Sequence, residues 1–241
     1  MDWIPLDRKE YNSICKEINY LEIKNRPSRL YQEVSKIPCT LESKVKFILQ
    51  HWGWDGTTRD EGKLIVSQIN SFRLTLTSET KEFFHQIYGL SLPIKKARGL
   101  GADKDIYGGV LRFKYSENGW KDLFIASKCL SLKFCDDVVP IGYMLNYHGF
   151  SSSGQQIDGW EDPNYESSGA WTYELYLGNS GRIYFWDTEN SDTIGIEADS
   201  LLSFFAIAFG LILDTEKIYG YTTEEDFALM DEIERLWDKG I

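Results

Sequence analysis

An α+β fold is the class this sequence predicts, and three neighbouring features predict it. Between residues 138 and 210 the chain reads VVPIGYML, an apolar run of strand length, then WTYELYLGNSGRIYFWD, then SLLSFFAIAFG. In the second feature, two runs rich in aromatic and aliphatic residues flank Gly178-Asn179-Ser180-Gly181, where glycine takes a positive φ without a Cβ clash. Residues 172–177 are therefore expected to pair with residues 182–186 as a hairpin. In the third, Asp199 or Ser200 can cap a helix in which Leu201, Leu202, Phe205, Ala208 and Phe209 fall at helical spacing. Strand, hairpin and helix form one α+β core unit, and the rest of the 241-residue chain is expected to wrap it.

Taken in order, the chain opens with Asp7 as the cap of a first helix, Glu10 completing a capping box, and Tyr11, Ile14, Cys15, Ile18 and Leu21 on one face. Pro27 interrupts, and Leu30, Tyr31, Val34 and Ile37 form a shorter stripe before Pro38. No linker follows, so residues 1–40 read as a helical extension packed on the core, with the main domain over 41–241. A helix from Leu41 carries Val45, Ile48, Leu49 and Trp52 and stops at Gly53. Residues 63–69 and the alternating RLTLT from Arg73 read as strands. Thr77 or Ser78 then caps an amphipathic helix that buries Phe83, Phe84, Ile87 and Tyr88 and ends at Gly89. GGVLRFKY and WKDLFIA flank an Asn-Gly turn and read as a second hairpin, with CLSLKF as a further strand. After the core helix, Thr222 and Glu225 are expected to form a capping box for a terminal helix carrying Leu229, Met230, Ile233, Leu236 and Trp237.

Composition narrows the function. With 42% hydrophobic and 26% charged residues the chain is a globular protein able to build a sizeable core. Its 37 acids against 26 bases leave a net charge of −11, which disfavours nucleic acid and suits a basic protein partner. Residues 213–241 alone hold nine acids and three bases. Cys15, Cys39, Cys129 and Cys135 have no metal-site spacing, and the three histidines are scattered, so neither metal nor cofactor is expected. The N-terminus lacks the apolar run of a signal peptide and no run approaches the ~20 residues of a membrane span, so a cytoplasmic protein with reduced thiols is expected.

Several stretches compete as candidate sites. GLGADKDIYGG has glycines but neither follows a clear strand nor opens a helix, so it reads as a turn-rich loop. DTENSDTIGIEAD lacks the glycine and the terminal acid that an EF-hand loop places at its sixth and twelfth positions, and reads as a solvated connection. For hydrolysis only His148 with Asp158, Glu161 and Asp162 forms a cluster worth testing, and no nucleophile elbow or HExxH signature accompanies it. Residues 149–170 form the longest stretch without periodicity. There Phe150, Trp160 and Tyr165 sit among Ser, Gly and Gln with Asp158, Glu161 and Asp162 interleaved, the residue mix of a contact surface. Trp171, which begins a strand, is read as packing on the sheet. Trp54 and Arg59, in HWGWDGTTRD, are added to the contact set, with a locked helix-to-strand corner as the other reading of that segment.

The order of these motifs resembles the SMI1/KNR4-type SUKH superfamily. Trp52-Gly53-Trp54 with Arg59, then EFFHQIYGL, VVPIG, LYLGNSGRIYFWD and LLSFFAIAFG, follow that family's order over roughly residues 41–212. The resemblance implies a single α+β domain whose mixed or mostly antiparallel sheet is packed by helices. It implies a non-catalytic immunity protein that binds and neutralises a cognate polymorphic toxin, commonly a nuclease and so basic, with the acidic surface meeting the toxin. The fungal branch of the same superfamily implies a regulatory scaffold instead, but its long disordered arms have no counterpart here. The oligomeric state is left open.

Overall fold

The computed structural model describes residues 2–71, 74–94, 109–114, 120–146, 171–187, 193–213 and 218–239. Four helices lead the chain: α1 (Arg8–Glu17), α2 (Tyr20–Ile23), α3 (Pro27–Lys36) and α4 (Leu41–His51). Asp7 caps α1 by accepting the backbone N–H groups of Lys9 and Glu10. The expected reciprocal bond from Glu10 is replaced, because its carboxylate accepts from Ser43 Oγ at 2.8 Å and ties α1 to α4. Asn19 at φ 51° breaks the first stripe, so Leu21 points to solvent at 78% exposure while Ile18 and Ile23 are buried. Pro27 opens α3 at a position where its missing N–H costs nothing, and Leu30, Tyr31, Val34 and Ile37 go inward as their spacing predicts. Thr40 caps α4 and Gly53, at φ +97°, ends it.

Three segments expected to be strands are helical. Residues 63–69 lie in α5 (Asp60–Ser71), whose buried residues Gly62, Ile65, Val66 and Ile69 recur at helical spacing toward the next helix. The β-branched composition pointed to a strand, but the spacing of the buried positions decided. A Cβ on Gly62 would stand 2.3 Å from the Phe84 carbonyl oxygen, so its absence lets α5 close against α6 (Ser78–Ile87). Between them, residues 74–77 join no strand, and Leu74 and Leu76 are buried. WKDLFIA and CLSLKF together form α7 (Trp120–Phe134), a helix buried around most of its circumference and thus without the one-sided stripe that marks a surface helix.

Among the described residues the sheet is a seven-stranded antiparallel meander in the order β1 (Ser91–Ile94), β2 (Gly109–Arg112), β3 (Val138–Asn146), β4 (Trp171–Gly178), β5 (Ile183–Asp187), β6 (Thr193–Ala198) and β7 (Ile218–Tyr221). The expected hairpin is β4–β5, with Leu177 opposite Ile183 and Gly181 at φ +85° in its turn. The acidic run expected to be solvated contains β6, whose Ile194 and Ile196 point to one face. β3 carries a bulge between Pro140 and Gly142, which admits proline to a central strand. Gly142 lies so close to β2 that a Cβ would meet the Arg112 carbonyl oxygen at 2.1 Å. The VVPIG sequence is thus a device for shaping the sheet.

Register sorts the side chains onto two faces. Leu111, Met144 and Tyr173 stand opposite one another, with Leu175 and Phe185, on a face covered by α4, α6 and α8 (Leu201–Ala208), and the extension of residues 2–37 joins the same hydrophobic cluster. Ser200 caps α8, whose Phe204 and Phe205 are buried. On the opposite face Val138, Tyr176, Tyr184, Trp186 and Ile194 pack against Ala126, Cys129 and Leu130 of α7. The terminal helix α9 (Glu224–Asp238) closes that face with Leu229, Met230 and Ile233, while Trp120, Leu123 and Phe124 from the start of α7 belong to the larger cluster.

Candidate partner-binding surface

Phe150, Asp158, Trp160, Glu161, Asp162 and Tyr165 lie outside the described residues, as does His148. The strands that their connection joins are placed: β3 ends at Asn146, opposite Trp171 at the start of β4. At that same end of the sheet β1 finishes, β2 begins, β5 finishes and β6 begins.

Trp54 and Arg59 serve a corner between two helices, not the helix-to-strand corner expected. Trp54 is 1% exposed and donates from Nε1 to Gln86 Oε1 at 2.8 Å, so it reaches no partner in this conformation. Its indole packs edge-on against Trp3, which in turn meets Phe83. Arg59 is half-buried; its backbone N–H donates to the His85 carbonyl at 2.7 Å and its guanidinium to the Gly53 carbonyl at 3.4 Å. Both residues therefore hold the α4–α5 connection over α6.

The acidity of the chain has a definite location. α9 opens with Glu224, Glu225 and Asp226, and Thr223 forms with Asp226 the capping box, one residue later than Thr222 and Glu225 would have placed it. Acids at the first turn face the positive end of the helix dipole, which favours them there. Glu224, Glu225, Asp231 and Glu232 are exposed, and the inward apolar residues of α9 are only half-buried. Asp226 is the exception. Burial works against its charged form, but hydrogen bonds from Lys133 Nζ at 2.6 Å and from Thr223 outweigh burial and hold the carboxyl below its ordinary value. Lys121 forks to Glu234 and Asp238, each at 2.8 Å, and these two carboxylates raise its ammonium pKa. Beneath the helix, Cys129 has its thiol pushed up to about 11 by burial, with the Asp226 charge adding to it. A protonated, buried thiol is a packing group and a poor nucleophile.

An open groove of about 400 Å³ on α9 is lined by Asp231, Glu234, Arg235, Asp238 and Lys239. With Lys121, Arg235 and Lys239 set against Asp231, Glu234 and Asp238, the groove is balanced in charge and has no strong preference for either sign. Among the described residues no group of three or more His, Cys, Asp or Glu is placed to hold a metal ion, and no helix is long and apolar enough to cross a membrane.

Sequence reasoning located the acidic tail but singled out no residue within it. Exposed Tyr221 and Phe227 flank the first acids of α9; the signal available was two aromatic side chains in the most acidic stretch of the chain. Comparison with protein-family models, with curated proteins and with solved structures returned no match.

Proposed function

We propose that the protein binds and neutralises a basic toxin, as an immunity protein of the kind its motif order resembles. The observation that carries the reading is the concentration of acid on one exposed helix: Glu224, Glu225, Asp231 and Glu232 are displayed on α9, the last of them shared with Arg235, within a tail of nine acids and three bases. Such a surface attracts a cationic partner at long range and speeds its encounter, and nucleases carry their positive charge where phosphate binds. The motif order supports the same reading, since VVPIG, LYLGNSGRIYFWD and LLSFFAIAFG form one contiguous α+β unit of strand, hairpin and helix. Neutralisation is by binding and needs no turnover.

The test is co-purification of the tagged protein with the C-terminal domains of polymorphic toxins, starting with the one encoded beside its own gene. A stoichiometric complex that weakens as salt is raised, together with loss of toxin activity, is the expected result. Absence of a complex with every such domain would remove the proposal.

A further inference from the structure

The two edges of the sheet are built differently. At β1 the edge is blunted: Pro93 offers no N–H, and its carbonyl is taken by Tyr31 Oη of α3 at 2.8 Å. β7 reads Ile-Tyr-Gly-Tyr, with no proline, no lysine and an unbroken register on β6 from Ile218 to Tyr221. Among the described residues no strand pairs with its far side. Antiparallel pairing engages alternate residues, so half of the backbone donors and acceptors of β7 point away from β6. Gly220 is exposed, Tyr221 is 69% exposed, and Phe227 in the first turn of α9 is 44% exposed. Glu224 and Glu225 follow the strand directly and are exposed.

We infer that β7 is an acceptor edge for an extended lysine- or arginine-rich segment of a partner protein, which adds as an eighth strand. Main-chain hydrogen bonds to β7 supply the affinity, Tyr221 and Phe227 anchor the apolar side chains of the incoming strand, and Glu224 and Glu225 meet its cations. Charge selects this occupant over a second copy of the chain, because self-pairing at β7 brings two tails of nine acids and three bases together. The edge does not depend on the partner being a toxin.

The experiment uses the full chain and a terminally blocked eight-residue peptide of alternating lysine and valine. Binding is followed by calorimetry, and amide exchange is read at Gly220 and Tyr221. Slowed exchange is expected at the one of these two residues whose N–H points away from β6, with affinity falling about tenfold or more on N-methylation of alternate peptide nitrogens. A similar loss is expected in a Glu224→Lys/Glu225→Lys variant, whose changes are at exposed positions and whose helix content is checked by circular dichroism. Equal binding by the N-methylated peptide, or by a glutamate–valine peptide, would overturn the inference. So would protection of Gly220 through self-association in sedimentation without peptide binding. The two readings fail separately: peptide binding without any toxin complex leaves the edge standing, and a toxin complex indifferent to the paired lysine variant leaves neutralisation standing without it.

Discussion

The two faces of the sheet are buried to different depths. On the α4–α6–α8 face Phe205 is fully buried, stacked on Phe209 and edge-on to Phe113, and the first fifty residues carry slightly more bases than acids. On the α7–α9 face the sheet-side residues are equally buried, but the outer layer is not, because Leu229, Met230, Ile233 and Leu236 of α9 are each only partly covered. Apolar burial stabilises roughly in proportion to area removed from water, so α9 gains less per residue than α8. One face makes the fold; the other presents a loosely seated, acidic helix. A surface that meets partners is drawn from the less stable end of a molecule.

That contrast can be broken most sharply by truncation. Phe205→Ala is expected to cost about 3–5 kcal/mol. Ile233→Ala, on a half-buried position, should cost only about 1–2 kcal/mol. Urea midpoints decide: equal losses would mean the two faces are equally consolidated. Glycines sharpen it next. Gly62→Ala forces a Cβ into the Phe84 backbone and should cost about 1–3 kcal/mol. Gly181→Ala meets no atom within 4 Å and suffers only its φ of +85°, for about 1 kcal/mol. A Gly62→Ala protein as stable as the parent would show that α5 and α6 can separate without penalty.

The last contrast is one of pH, and it distinguishes the faces by where it begins. His51 of α4, hydrogen-bonded through Nδ1 to Tyr20 Oη at 2.8 Å, has its pKa lowered to about 4, chiefly by burial. The unfolded chain then binds the extra proton first, so stability is lost as pH falls from about 6.5 toward 4. Asp226 has a depressed carboxyl pKa, so its contribution is intact above about 4 and fades only as pH falls further. Acid should therefore weaken the α4 side before α9 loosens. Exchange of α4 and α9 amides followed from pH 7 to 3 checks this, and simultaneous release would discard the assignment. Lys133→Met should remove most of the α9 transition, because Asp226 then loses its cation.

Legibility in the sequence followed the environment of each element. α1, α3, α4, α6, α8 and α9 were readable because each opens on a cap residue, or in α3 on Pro27, and carries apolar residues at helical spacing. The β4–β5 hairpin was readable because its turn needs a glycine at positive φ, and Gly181 provides it. α7 was not, since a helix enclosed between sheet and α9 buries residues at nearly every position from Leu123 to Leu130 and mimics alternation. α5 misled through its β-branched residues, and β6 through its acids, although Ile194 and Ile196 kept the two-residue period. For the candidate surface, the sequence showed the acidic tail but not that Trp54 would be consumed by the core.

By itself, then, the sequence determined the α+β class, most helix boundaries, the central hairpin and the sign of the surface charge. Caps, stripes, turn glycines and charge are local or additive, and a single chain displays them. The tertiary structure decided which apolar runs became helices, that Trp54 and Arg59 hold a corner, and that β1 is sealed while β7 has no further strand beside it among the described residues. Those outcomes depend on what lies across from each residue, such as Phe84 opposite Gly62 or Tyr31 against Pro93, and such partners are distant in sequence.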